Sequence, residues 1–261
     1  HARIYAVSPD NTALLERNGP WQHRCGDRPA RIASMQVFGD TGARLDFSAY
    51  DSGVDELGWI VESSLMACEF WEGIKRQNNL TLLCPAKPQA LRFSAESATL
   101  TLADGRPLSA RLIVAADGRD SWVREQAGLA AYHTAYGEKG VVANFACERS
   151  HRQTAFQWFR DDGVLAWLPL PGNRISMVWS TPDGHADELC ALPAGELGER
   201  VAAAGYHRLG KLELLTPAAA FPLRLMRVPQ TVAPRLALVG DAAHGIHPLS
   251  GHGINLYYQD A

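Results

Sequence analysis

The chain predicts an α/β fold in which a partial, mostly parallel sheet is interrupted by an antiparallel one, and three observations predict it. Two short apolar runs, Leu112 to Ala116 and Leu236 to Val239, each lead into an acid beside a glycine, Asp117-Gly118 and Gly240-Asp241. Runs this short and apolar between turn signals read as strands buried on both faces, the pattern of a parallel sheet. Between them, Val141 to Cys147, Ala155 to Phe159, Val164 to Leu168 and Ile175 to Ser180 recur at the close spacing of an antiparallel meander.

Bulk properties narrow the function classes. The 261 residues are enough for one large domain or two. With 46% hydrophobic and 20% charged residues and a net charge of −3, composition points to no nucleic-acid partner. The longest apolar runs fall far short of the ~20 residues needed to span a bilayer, so a soluble protein is expected. Cys25, Cys68, Cys84, Cys147 and Cys190 stand far apart with no C-x-x-C pair, which fits a reducing compartment such as the cytoplasm and neither a disulfide framework nor a metal site. Because the chain starts at His1 and stops at Ala261 inside an apparent helix, native sequence is expected to be missing at both ends.

Taken in order, residues 3–19 read as one short helix, with Ser8-Pro9-Asp10 as its start and Gly19 as its stop. Ala33 to Phe38 and Arg44 to Phe47 form two strands joined by the turn Gly39-Asp40-Thr41-Gly42. Trp59 to Glu62 reads as a further strand. A helix over Leu65 to Gln77 follows, capped by Ser63 or Ser64. Leu80 to Leu83, Ala90 to Phe93 and Thr99 to Leu102 read as short strands before the run at Leu112. An acidic, Ala-rich helix over Pro193 to Ala204 interrupts the meander, and strands at Lys211 to Leu215 and Ala219 to Leu223 lead back to Leu236.

The chemistry concentrates at the two acid-bearing strand ends. In open α/β sheets ligands gather at the carboxyl ends of strands, and a helix N-terminus nearby attracts anionic or electron-rich groups. At the first end, Gly118 permits a tight turn and close backbone approach, Ser121 caps a helix, and Arg124 offers a guanidinium to a phosphate or merely a helix-surface charge. At the second, Asp241 can accept hydrogen bonds from the hydroxyls of a sugar-like chain, while Ala242 and Ala243 leave room for a ligand to lie close. Pro248, Gly251, Gly253, Ile254 and Asn255 complete a glycine-spaced turn into a helix.

Other constellations carry less. His244 and His247, with His252 nearby, have no carboxylate or cysteine to complete a metal site. Arg224, Arg227 and Arg235 form an acid-free basic stretch that could serve a nicotinamide cofactor, an anionic headgroup or simply solvent. Phe156, Trp158, Trp167 and Trp179 read first as core and second as the lining of an apolar substrate site.

The segments Asp117 to Arg124 and Gly240-Asp241-Ala242-Ala243-His244-x-x-His247-Pro248 through Asn255-Leu256 resemble the DG and GD fingerprints of the flavin-dependent aromatic hydroxylases, the para-hydroxybenzoate hydroxylase superfamily. Leu57 to Glu62, Trp167 to Leu170 and Phe221 to Leu223 make the resemblance strongest to the ubiquinone-biosynthesis monooxygenases, over nearly the whole chain. The resemblance implies an FAD-binding Rossmann-like (GR2-type) domain, over residues 1–32, 64–130 and 233–261, with an inserted antiparallel-sheet substrate domain over 33–63 and 131–232. It implies that Arg3, Asp117, Gly118, Arg124, Gly240, Asp241, Ala242, Pro248, Gly251, Gly253, Ile254 and Asn255 bind the cofactor. Asp241 would meet the ribityl chain, and Pro248 would stand near the oxygen-reacting face of the flavin.

The implied reaction is hydroxylation of a polyprenylated phenol in ubiquinone biosynthesis, with NAD(P)H as reductant and molecular oxygen consumed through a flavin C4a-hydroperoxide. No side-chain nucleophile is required. Membrane-surface contact and homo-oligomeric or biosynthetic assembly would accompany a lipid-tailed substrate. A flavin-dependent halogenase or reductase on the same fold is the enzymatic alternative, and a lipid-binding accessory subunit the non-catalytic one. The chain also departs from the family. It contains no Gly-x-Gly-x-x-Gly pyrophosphate loop, so little or no FAD is expected on the chain as given. Ser63-Ser64 replaces the family's Asn-Arg, His252 a glutamine, and Tyr257 a glycine, which would crowd the flavin or the neighbouring helix.

Overall fold

The computed structural model describes residues 3–19, 21, 28–246, 251 and 253–260. It is a mixed α/β fold whose chain divides into two compact units: His1–Gly73 with Gly137–Leu223, and Ile74–Tyr136 with Arg224–Ala261.

The first unit opens on β1 (Ile4–Val7), a strand the sequence did not predict, and Pro9 then starts α1 (Pro9–Arg17) behind the Ser8 cap, as predicted. Ser8 stands at the N-cap in extended backbone, but its hydroxyl accepts from the Asn11 side-chain amide rather than from a backbone N–H. β2 (Ala30–Ile32), β3 (Ser34–Phe38), β4 (Arg44–Ser48) and β5 (Gly58–Glu62) follow, and then α2 (Ser63–Lys75). β5 is the centre of a three-stranded antiparallel sheet, β1-β5-β2. Gly58 is required there, because a Cβ would stand 2.9 Å from the Val7 carbonyl oxygen. This sheet ties β1 and β2 to 58–62, so compactness groups them with the antiparallel unit.

In the second unit, β6 (Pro88–Phe93), β7 (Ala98–Leu102) and β8 (Pro107–Ala110) form an antiparallel sheet. No strand forms over 80–83, where Leu80 and Leu82 are exposed and the apolar run finds no partner. β9 (Ile113–Ala115) and α3 (Trp122–Gln126) follow.

β10 (Tyr132–Cys147) leads back into the first unit, where β11 (Thr154–Arg160), β12 (Gly163–Leu170) and β13 (Arg174–Pro182) form the predicted meander. α4 (Asp183–Ala191) was not predicted; α5 (Ala194–Ala204) was. β14 (Leu212–Leu214) and the first residues of β15 (Ala219–Arg227) lie on β10, giving the order β15-β10-β13-β12-β11-β3-β4. The β3–β4 hairpin joins this sheet through a parallel pairing of β3 with β11. Burial alternates along β12, as a sheet covered on one face requires. The covered face packs Phe145, Trp158, Leu165, Trp167, Ile175, Met177 and Trp179 against Leu189 of α4 and Leu197 and Val201 of α5. Phe156, Trp158, Trp167 and Trp179 are therefore core.

The chain ends in the second unit with β16 (Val232–Ala233), β17 (Leu236–Leu238), β18 (His244–Gly245) and α6 (Gly253–Gln259). β17 pairs with β9 in parallel, Leu236 opposite Ile113 and Leu238 opposite Ala115, as the sequence predicted. Burial on both faces is not observed: Leu112 and Val114 are 53% and 56% exposed, because α3 and the turn after β17 pack on one face within this unit.

Candidate cofactor site

The parallel pair β9–β17 brings the two acid-bearing turns side by side, with Val239 N donating to the Ala115 carbonyl at 3.0 Å. After β9, Asp117 turns inward on its own chain. Its carboxylate accepts from Ser121 Oγ at 2.5 Å and from Val123 N at 3.0 Å, and Ser121 Oγ accepts from Arg124 N at 3.0 Å. The acid and the hydroxyl together cap α3, satisfying N–H groups that a helix start leaves bare. Gly118 has φ +87 and open space around it, so conformation rather than room demands glycine.

Arg124 is 6% exposed and donates from Nη1 to the Ala242 carbonyl and from Nη2 to the Arg119 carbonyl, both at 2.8 Å. Those carbonyls belong to the two turns, so this guanidinium joins the DG segment to the GD segment instead of standing on the helix surface. Arg224 and Arg235 are likewise engaged, by the Asp120 carboxylate at 3.2 Å and the Ala95 carbonyl at 2.5 Å.

After β17 the backbone tightens at Gly240, φ +60, into a single 3-10 turn over Gly240–Ala242, with Ala242 and Ala243 buried against β9, β17 and α3. Asp241 projects from this turn. Its Oδ1 accepts from the Tyr257 phenol, Arg119 Nη2 lies 4.0 Å from the same oxygen, and the side chain is 30% exposed. Asp260, just past α6, accepts from Gly240 N at 2.7 Å and lies 2.9 Å from His244 Nε2. The end of α6 is thereby stapled to the 240–244 turn. At the other end of that helix Asn255 is buried and donates to the Gly251 carbonyl at 3.1 Å.

The structure thus gathers Asp117, Gly118, Arg124, Gly240, Asp241 and Ala242 into one locus, with Gly251, Gly253, Ile254 and Asn255 on the adjoining turn and helix. Arg3 belongs to the first unit, where it is exposed and its guanidinium lies over the Tyr5 ring at 5.5 Å. Pro248 lies outside the described residues, as do His247, His252 and Cys25. Among the described residues no three His, Cys, Asp or Glu side chains gather as metal ligands. Sequence reasoning missed Arg119, which lies inside the DG segment but was given no role, and Asp260, which only the fold carries back to Gly240.

The donor set fits a polyol-bearing nucleotide. Asp241 is partly open, sits on a turn of small residues, and already takes an O–H donor, the chemistry a sugar-like hydroxyl would offer. Asp117 and Arg124, by contrast, are spent on the turn itself.

Residues 92–261 match the family model of the FAD binding domain. The chain belongs to that family. It is 36% identical over 258 residues to ubiquinone hydroxylase UbiL of Rhodospirillum rubrum, covering 99% of this chain and 60% of that protein. It is 33% identical to 3-demethoxyubiquinol 3-hydroxylase of Escherichia coli, covering 99% and 66%. The chain therefore spans three-fifths to two-thirds of the length of these relatives. Among solved structures, Pseudomonas aeruginosa PqsL in complex with 2-aminobenzoylacetate superposes with a TM-score of 0.82 at 22% identity, covering 98% of this chain and 72% of that one. A variant of Klebsiella pneumoniae HpxO complexed with FAD superposes with a TM-score of 0.74 at 16% identity, covering 98% and 69%. These likenesses establish the fold.

Proposed function

We propose that this chain is part of an FAD-dependent monooxygenase that hydroxylates the aromatic ring of a phenolic quinone precursor, with NAD(P)H as reductant and molecular oxygen as co-substrate. The observation that carries the proposal is the joined pair of turns: Arg124 holds the DG and GD segments together, and Asp241 stands partly exposed on the GD turn as an acceptor of O–H donors, one of which, the Tyr257 phenol, it already takes. Relatives named ubiquinone hydroxylase and 3-demethoxyubiquinol 3-hydroxylase, at 36% and 33% identity, support the substrate class.

FAD, when bound, would supply the redox chemistry. This chain's residues would bind and orient it. Gly240, Asp241 and Ala242 would meet the ribityl chain, and Gly251, Gly253, Ile254 and Asn255, with Pro248, the ring side. Asp117, Gly118 and Arg124 would act one step back, by shaping the turn. The second unit would carry most of the cofactor site and the antiparallel sheet of the first would carry substrate recognition; Arg3 would contribute from β1. No helix among the described residues is long and apolar enough to cross a membrane; a lipid-tailed substrate, as part of this proposal, would be met by surface contact with the bilayer. Self-association or a biosynthetic complex would fit such a substrate and remains part of the proposal.

The test is direct. Full-length protein should take up FAD, show flavin absorbance, and oxidise NAD(P)H with oxygen consumed and a hydroxyl added to a phenolic quinone precursor. A halogenated product would point instead to a halogenase of the same fold, and absence of flavin uptake would leave the accessory-subunit reading. Asp241→Asn should weaken FAD binding by about tenfold or more, the loss of a charge-assisted hydrogen bond.

A further inference from the structure

One oxygen of the acceptor at the centre of the site, Asp241 Oδ1, is already taken by the chain itself. Tyr257 comes from the middle of α6, sixteen positions after Asp241, and donates its phenolic hydrogen to Asp241 Oδ1. Its ring lies against the Gly240 turn, with Cγ 3.6 Å from where a Cβ would stand on Gly240. It also lies 5.4 Å, centroid to centroid, from the His244 ring. A group approaching Gly240 and Asp241 on that side meets this ring first.

The pose is held from behind. Asp260 accepts from Gly240 N at 2.7 Å and lies within hydrogen-bond reach of His244 Nε2, fastening the end of α6 to the turn. The backbone that carries Tyr257 is thus fixed, and the phenol itself is free to leave Asp241 only by rotating its side chain.

From this geometry we infer that Tyr257 is an internal occupant of the cofactor's hydroxyl site, a positioning residue that holds Asp241 Oδ1 until a ribityl hydroxyl displaces it. The inference rests on the assignment of FAD under Proposed function and deepens it. A phenol and a sugar hydroxyl are both neutral O–H donors to the same oxygen, so the exchange conserves the hydrogen bond and leaves the carboxylate satisfied in both states. No charge needs to move. What the exchange costs is affinity, because a ligand that binds only the open form sees its binding constant reduced by the fraction of molecules that are open.

Flavin-fluorescence titration of full-length wild type, Tyr257→Phe, Asp241→Asn and the double variant tests the inference. Phenylalanine keeps the ring and removes the donor. The expected result is FAD binding about tenfold tighter in Tyr257→Phe than in wild type, and a clearly smaller gain from the same change in the Asp241→Asn background, where only a neutral amide oxygen remains to unmask. A purely structural tyrosine would weaken binding when cut, so the sign separates the two roles. In stopped-flow mixing, wild-type association should level off with FAD concentration, limited by opening, and Tyr257→Phe should rise without levelling. Should circular dichroism show Tyr257→Phe misfolded, Tyr257→Leu and the wild-type kinetics decide the question: an unsaturating wild-type rate overturns the inference. Equal or weaker binding by folded Tyr257→Phe overturns it with FAD assignment intact. If no protein, wild type included, takes up FAD, the assignment of FAD falls and this inference with it.

Discussion

The two units of this chain are held together by different physics. In the first, Trp158, Trp167 and Trp179 are at most 1% exposed in the described structure and lie in one apolar layer with Phe145, Ile175 and Met177 beneath two helices. Loss of any one contact is shared by many neighbours, and stability of that kind is spread over the layer. The second unit has short strands and an exposed face at Leu112 and Val114. Its order at the site depends on a few polar side chains, namely Asp117 and Ser121 on α3, Arg124 across two carbonyls, and Asp260 on Gly240. A unit built that way is the one a ligand can stabilise most, since binding adds contacts where few exist.

The largest effect should come from breaking the first unit's core. Trp167→Ala removes a side chain that is 0% exposed and packs so closely on α5 that a Cβ on Gly205 would fall 2.1 Å from its ring. The expected cost is about 3–5 kcal/mol, read as a fall in the urea midpoint. FAD should not restore it if the flavin site belongs to the second unit.

Arg124→Met should cost less, about 2–3 kcal/mol, because it leaves the Ala242 and Arg119 carbonyls without their donor. Its signature is local: faster amide exchange over 113–129 and 236–243, with the meander unchanged. If exchange quickens equally in β11 to β13, the two units are not separately held.

The smallest effect concerns a thiol. Burial pushes the Cys147 thiol from 9.0 up to about 12, so it stays protonated at mildly alkaline pH, and it is buried where Cys68 and Cys84 are exposed. Iodoacetamide at mildly alkaline pH should label Cys68 and Cys84 in the native protein and spare Cys147 until urea is added. The sign for stability follows: between pH 9.0 and about 12 the folded state keeps a proton that the unfolded state has lost, so stability falls as pH rises through that window. Below it, Cys147 contributes no pH dependence.

Much of this was legible in the residues. Gly39 to Gly42 between two strand runs gave the β3–β4 hairpin, the turns Asp161-Asp162-Gly163 and Pro171-Gly172-Asn173 set off the meander, and the paired runs at Leu112 and Leu236 became parallel neighbours. Errors fell where the local signal was too short or pointed elsewhere. Ile4 to Val7 is four residues ahead of a strong helix start, and β5 alone makes it a strand. Leu80 to Leu83 has a strand's composition and no partner. Gly184 near the start of α4 hid a helix that the β-sheet face stabilises through Ala186 and Leu189.

The amino-acid order by itself determined which turns would bear acids, where strands would stop, and which glycines would be needed, because backbone preferences and hydrophobic period act over a few residues. It did not determine what those acids do. Asp117 became a helix cap through Ser121 four positions on, Arg124 became a bridge to a carbonyl 118 positions away, and Asp241 acquired a phenol from another element. A side chain's commitments depend on which groups reach within about 3 Å of it. Only the tertiary structure, by folding distant segments onto one turn, chooses those groups.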